Sequence, residues 1–193
     1  MLFYCVMNFV KISFGILLCF LYLCVKSNAK IKYDYEILDL EAISSDDNLF
    51  NVTSRIEYGE LGKQTASLFV DWKCDTDEKT MIGMKVYFCR NGREDAFREM
   101  PYNIPDISFY QFLDHYYMKL FYPDYASCSN LPAFDKFVPP WNKTIYIINK
   151  CKPEGVSWPE VLPSGYYRIV IKLIAQAELV ISISVKLTSR GLM

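Results

Sequence analysis

Runs in which apolar and polar residues alternate dominate the chain, and the two nearest its C-terminus are the cleanest. Leu179, Ile181, Ile183, Val185 and Leu187 alternate with Val180, Ser182, Ser184, Lys186 and Thr188. In the run before it, residues 162–174, Ile169, Ile171 and Leu173 share one face while Arg168 and Lys172 take the other. Period-two alternation rich in β-branched residues predicts strands. One dry and one wet face make each strand part of a sheet whose apolar side must be covered. The same pattern recurs upstream. Ile31, Tyr33, Tyr35 and Ile37 alternate with Lys32, Asp34 and Glu36, and Phe50, Val52, Ser54, Ile56 and Tyr58 oppose Asn51, Thr53, Arg55 and Glu57. Leu68, Val70, Trp72 and Cys74 face inward together, and Ile82, Met84, Val86 and Phe88 lie opposite Lys85, Tyr87 and Cys89. A further apolar run over 145–148 reaches Cys151. Polar clusters at 44–48 and 75–79, with Gly59 and Gly62, supply the turns. About seven strands separated by turn signals predict an all-β fold, an antiparallel two-sheet β-sandwich.

Between Pro105 and Pro123 the period lengthens. Ser108 followed three residues later by Gln111 has the form of a capping box, with Ile107 and Phe112 as its hydrophobic staple. At ~100° per residue, Phe109, Phe112, Leu113, Tyr116 and Leu120 form one stripe, which Tyr110, Tyr117 and Phe121 broaden. Asp114, His115 and Lys119 fall on the opposite arc, and Pro123 is expected to stop the element. This predicts one inserted amphipathic α-helix lying on the sheets or across one end of them. Ordinary core packing accounts for such a stripe. The alternative is that the rings roof a cavity between sheets prised apart from their usual ~10 Å spacing. The strand residues expected to line it are Val70, Trp72, Val86, Phe88, Ile169, Ile171, Leu173, Ile181, Ile183 and Val185.

The N-terminus changes the composition of what folds. Lys11 precedes a 14-residue apolar run, Ile12 to Val25, and small residues Ser27 and Ala29 follow. That is the build of a signal peptide over residues 1–29, and the run is short of the ~20 residues that cross a bilayer. The domain then comprises residues 30–193. Its 19 basic and 22 acidic residues are too balanced, and too free of basic clusters, for a nucleic-acid partner. Four cysteines remain, Cys74, Cys89, Cys128 and Cys151, and an even count in a secreted chain reads as two disulfides. Sequence leaves three pairings open. Cys89–Cys128 with Cys74–Cys151 would fasten both ends of the helical excursion. Two Asn-x-Thr sequons, at Asn51 and Asn142, are glycosylation candidates, and Asn51 falls on the wet face of its strand.

Candidate chemistry is sparse. His115 is the single histidine and sits on the polar arc of the helix, with no Gly-x-Ser-x-Gly nucleophile motif in the chain. Asp75, Asp77 and Glu78 offer oxygen ligands without the glycine and distal glutamate of a calcium loop. No glycine loop is built to cradle phosphate. No catalytic residue, metal or cofactor is expected.

One resemblance sharpens the expectation. Trp158, the Leu-Pro-x-Gly-x-Tyr-Arg turn at 162–168 and the closing run 181–187 resemble the C-terminal part of the ganglioside-activator branch of the ML lipid-recognition superfamily. Residues 30–190 together resemble the insect chemosensory-protein B family, through the strand ending in Cys89, the aromatic helix and Cys128 beside Pro132. The resemblance implies a secreted, non-enzymatic sandwich holding a lipid-like ligand between its sheets and serving the detection of contact pheromones or other hydrophobic cues. The partners expected are a hydrophobic small molecule or lipid, with a receptor or membrane surface as a further contact. The competing expectation is an interaction module or activator with a filled core, working through exposed Tyr110, Tyr117 and Phe121.

Overall fold

The computed structural model describes residues 33–59, 63–153, 155, 157–159 and 161–189. The leader assignment for 1–29 lies outside them. Nine antiparallel strands form two sheets among the described residues. The larger sheet runs β1 (Tyr33–Ser44), β9 (Glu178–Ser189), β8 (Gly165–Ile174) and β4 (Met81–Cys89), with β5 (Arg98–Glu99) and β6 (Ile104–Ser108) both paired to β4. The smaller sheet runs β2 (Phe50–Tyr58), β3 (Gln64–Trp72) and β7 (Thr144–Cys151). The expected sandwich is present, and β5 and β6 raise the strand count above seven. These two carry no period-two signature because they are short lengths of the excursion between β4 and the helix that zip onto the free edge of β4.

The apolar alternation becomes the core. Ile37, Phe50, Val70, Trp72, Ile82, Val86, Leu173, Leu179, Val185 and Leu187 are all buried. In β1 the register slips between Ile37 and Asp39, leaving Leu38 unpaired and exposed. The bulge frees the Ile37 N–H from the ladder, and Gln64 Oε1 accepts it at 2.8 Å. Ser54 donates to the Leu40 carbonyl at 3.1 Å, so β1 and β2 are stitched together along one side of the sandwich.

The long helix, α1 (109–125), enters straight from β6, and a 3-10 turn at Glu94–Ala96 lies upstream between β4 and β5. Ser108 is its N-cap residue but makes no side-chain cap, so the expected capping box does not form. Instead the Phe109 N–H donates to the Thr80 carbonyl at 2.7 Å, a tertiary contact doing the same duty. The middle of α1, Leu113–Phe121, is π-helical. Its i→i+5 bonds widen the turn, so each residue advances by less than the ~100° assumed for an α-helix. Over seven residues the difference swings Leu120 away from Leu113, and Leu120 is exposed while Tyr117 is buried. Pro123 does not stop the helix; it opens the α-helical turn Tyr122–Tyr125 that follows the π segment. A missing N–H costs little where one hydrogen-bond register gives way to another.

After the helix the chain turns back along β7. The Asn149 N–H donates to the Cys128 carbonyl at 2.8 Å. Asn130 then brackets the free side of that strand: its Oδ1 accepts the Ile147 N–H and its Nδ2 donates to the Ile145 carbonyl, both at 2.7 Å. This places Cys128 beside Cys151, and those two are the disulfide. The expected pairing is therefore corrected. Cys89 ends β4 in the other sheet, opposite Tyr166, and Cys74 follows β3; both are buried free thiols.

Candidate functional site: an apolar cavity between the sheets

The buried residues fall into two groups, and the difference between them defines the site. At one end of the sandwich Ile37, Val86, Tyr167, Val185 and Leu187 pack together, with Phe88, Ile169 and Trp158 against them. Phe88 meets Tyr167 at 5.0 Å between ring centroids, and Trp158 covers Tyr35 at 5.2 Å. Tyr35 donates to the Pro153 carbonyl at 2.7 Å and Tyr167 to the Pro163 carbonyl at 2.7 Å. These bonds tie the segment between β7 and β8 to β1 and to β8 itself. Ser157 fastens the same segment to the helix, donating toward the Leu120 carbonyl at 2.7 Å and lying 2.6 Å from Asp124 Oδ2.

The other end is hollow. A cavity of about 220 Å³ lies between the sheets under α1, partly open to the surface. The large sheet contributes Ile82, Ile171, Leu173, Leu179, Ile181 and Ile183, and the small sheet Ala66, Leu68, Val70, Trp72, Tyr146 and Ile148. Phe109, Phe112, Leu113, Tyr117, Phe121 and Tyr125 form the roof. Leu40, Leu131 and Trp141 complete the wall. Trp72, Phe109 and Trp141 are buried, whereas Leu40, Ala66, Leu68, Phe121, Tyr125 and Leu131 are among the half-buried residues of the lining.

Nine residues expected from alternation lie on this wall: Val70, Trp72, Phe109, Phe112, Leu113, Ile171, Leu173, Ile181 and Ile183. Six do not. Val86, Phe88, Ile169 and Val185 belong to the packed end, because alternation tells which face a residue takes and not how far along the sandwich it sits. Tyr116 and Leu120 are turned off the wall by the widened π-helix. Tyr146 and Trp141 were missed. Tyr146 follows from the period of β7 once its register with Val70 is known. Trp141 stands in a proline-rich passage with no periodicity, and no pattern marks it.

The lining carries no charged side chain. Its polar atoms are mostly turned into the protein: Trp72 Nε1 donates to the Cys74 carbonyl at 2.9 Å, Tyr117 to the Pro132 carbonyl at 2.9 Å and Tyr146 to the Asn142 carbonyl at 2.7 Å. Burial pushes the Tyr146 phenol up to about 12 and raises Tyr117 above the ordinary tyrosine range, with Tyr122 and Tyr146 adding to the shift of Tyr117. Burial, then the neighbouring Asp124, pushes Tyr125 up to about 12. Neutral phenols are the rule in this wall at any physiological pH.

His115 is exposed on the helix, and no group of three or more His, Cys, Asp or Glu side chains suited to a metal occurs among the described residues. Asn51 and Asn142 are both exposed. Among the described residues no helix is long and apolar enough to cross a membrane. Residues 82–169, from β4 through the helix and β7 into β8, match a family described as a protein of unknown function (DUF1091). No curated protein matches the chain.

Proposed function

We propose that this chain is a secreted, non-enzymatic binding protein that carries or presents one hydrophobic small molecule between its two sheets. The observation behind the proposal is the charge-free cavity of about 220 Å³ roofed by α1. A cavity of about 150 Å³ lined by aliphatic and aromatic side chains accepts benzene. In proportion, this one takes about nine carbon atoms, a short chain or a ring with a side chain. At ~0.8 kcal/mol per buried CH₂ the gross gain is about 7 kcal/mol. Immobilising the ligand consumes part of it, so dissociation constants of roughly ten micromolar to millimolar follow from shape alone.

Secretion accords with the leader reading and with a disulfide in so small a domain. The resemblance to the insect chemosensory-protein B family suggests the biological setting, detection of cuticular or other apolar cues. The cavity weighs against an activator with a filled core, and Tyr117, expected exposed in that case, is buried. Displacement of a fluorescent apolar probe by medium-chain alkanes and esters, with native mass spectrometry for stoichiometry, tests the proposal. One ligand per chain is expected. Folded protein that takes up none of them would defeat it.

A further inference from the structure

The outer face of the small sheet carries an apolar strip at the surface. Leu68, Val70, Tyr146 and Ile148 line the cavity, so the residues that alternate with them, Phe69, Ile145 and Ile147, stand on the opposite side of the sheet. Ile145 and Ile147 are 43% and 41% exposed, and Phe69 is half-buried. Register makes the three contiguous: Phe69 pairs with Ile147 and Asp71 with Ile145, which sets Ile145 diagonal to Phe69. The outer face of the large sheet is built differently, with Lys85, Arg168, Lys172, Ser182 and Ser184 along it. At one end the strip stops at a polar cluster. Glu57 accepts hydrogen bonds from Ser67 at 2.6 Å and Arg55 at 3.0 Å, and Lys150 pairs with it at 3.7 Å. Along one flank runs the edge strand β2, with Asn51 opposite Asp71 and Thr53 opposite Phe69.

Asn51 and Thr53 are the first and third residues of an Asn-x-Thr sequon. Strand geometry puts both on the outer face, where both are exposed, while Val52 turns onto the core. Resting on the reading of the chain as secreted, we propose that Asn51 carries an N-linked glycan whose first sugars lie over Phe69, Ile145 and Ile147. In the secretory compartment Asn51 Nδ2 forms a bond to C1 of the first sugar. The C1–O bond to the pyrophosphate of a lipid-linked oligosaccharide breaks, the lipid pyrophosphate leaves, and one amide proton passes to water. Phe69 is diagonal to Asn51 across one strand spacing, ~7–8 Å away and within reach of those sugars. Sugar rings can turn their C–H faces to the strip and their hydroxyls to water, which keeps the surface solvated. A contiguous apolar surface otherwise marks contact with another molecule. A tethered glycan reaches the strip ahead of any free partner, because its attachment fixes a high local concentration. The strip is assigned to Asn51 because Asn142, the other sequon asparagine, precedes β7 and holds no place in the ladder.

The test uses the full chain, expressed in a secreting eukaryotic cell line and collected from the medium. Peptide-N-glycosidase releases the glycan and leaves an aspartate, so peptide masses show whether position 51 was modified. Hydroxyl-radical labelling of the folded protein, before and after release, then reads the cover. Labelling of Phe69, Ile145 and Ile147 should rise on release, while Ile43, 53% exposed on β1 of the other sheet, stays unchanged. Thr53→Ala, which destroys the sequon and keeps Asn51, should show the raised labelling from the start. Thr53→Ser, which keeps the sequon, should behave as the wild type. Enzymatic release from the wild type gives the same reading where Thr53→Ala fails to fold. Asn51 found unmodified in protein from the medium overturns the inference and leaves secretion standing. Labelling that is equal with and without the glycan also overturns it, whether the strip is bare in both forms or covered by a second copy of the chain. A chain that never reaches the medium brings down the secreted reading, and this inference with it.

Discussion

Replacing Cys128 and Cys151 together by serine removes the one covalent tie between the end of α1 and the end of β7. The two residues are 23 positions apart. Constraining a loop of that length in the unfolded chain is worth about 3.4 kcal/mol on the loop-entropy estimate. For a domain of this size each kcal/mol moves the melting temperature by about 2–4 °C, so a fall of about 7–14 °C is expected. Backbone contacts at the same place, Asn149 to the Cys128 carbonyl and Asn130 to Ile145 and Ile147, persist in the variant and keep it folded. Calorimetry of both proteins under matched conditions measures the fall. Thiol titration of the unreduced, denatured chain starting at Lys30 checks the pairing: Cys74 and Cys89 are free, so two thiols are expected. The bond also lies next to Tyr125 and Ala66, which line the cavity. Bound probe should therefore dissociate faster from the variant. A melting temperature lowered by less than about 3 °C, or four titratable thiols, would refute the reasoning.

Two further outcomes follow from the cavity wall. Val70→Phe adds bulk at the middle of β3 directly into the hollow, so ligand affinity should drop at least tenfold in displacement assays, while urea unfolding shows less than about 1 kcal/mol of lost stability because the space is vacant; a loss of several kcal/mol would mean the hollow is closed. The raised phenols of Tyr117, Tyr125, Tyr146 and Tyr167 tie stability to alkaline pH. Their folded values lie above the unfolded value of ~10, so the unfolded chain gives up protons first. Stability they contribute is whole below pH ~10 and is lost as pH rises toward 12. Urea midpoints measured from pH 8 to 12 should fall over that window, and a flat profile would contradict it.

Most of the frame could be read from the chain. Alternation in β2, β3, β4, β8 and β9 assigned inward faces that the structure keeps apart from Tyr58, exposed at the end of β2, since a strand buried on one side has little freedom to choose otherwise. What escaped was set by contacts distant in sequence. The slip at Leu38 depends on Gln64 being there to take the Ile37 N–H. The π-helical stretch sets which helix residues are buried, Leu113 and Tyr117 among them, and an α-helical period cannot reveal it. The disulfide depends on the segment after α1 doubling back along β7, which carries no local mark. Of the cavity, alternation found the faces, and the position along the sandwich that separates Ile183 from Val185 had to come from the structure.

The amide of Asn130 has a consequence for how these molecules behave in a crowd. A three-stranded sheet ends in backbone groups that invite any passing strand to join, the route by which sheets stack into fibres. Here one short side chain answers both the donor of Ile147 and the acceptor of Ile145, so that border is already occupied. With Ile145 and Ile147 themselves uncovered on the outside, a passing strand finds no unanswered donor or acceptor at this point of the edge, and the molecules stay apart without lengthening the sheet.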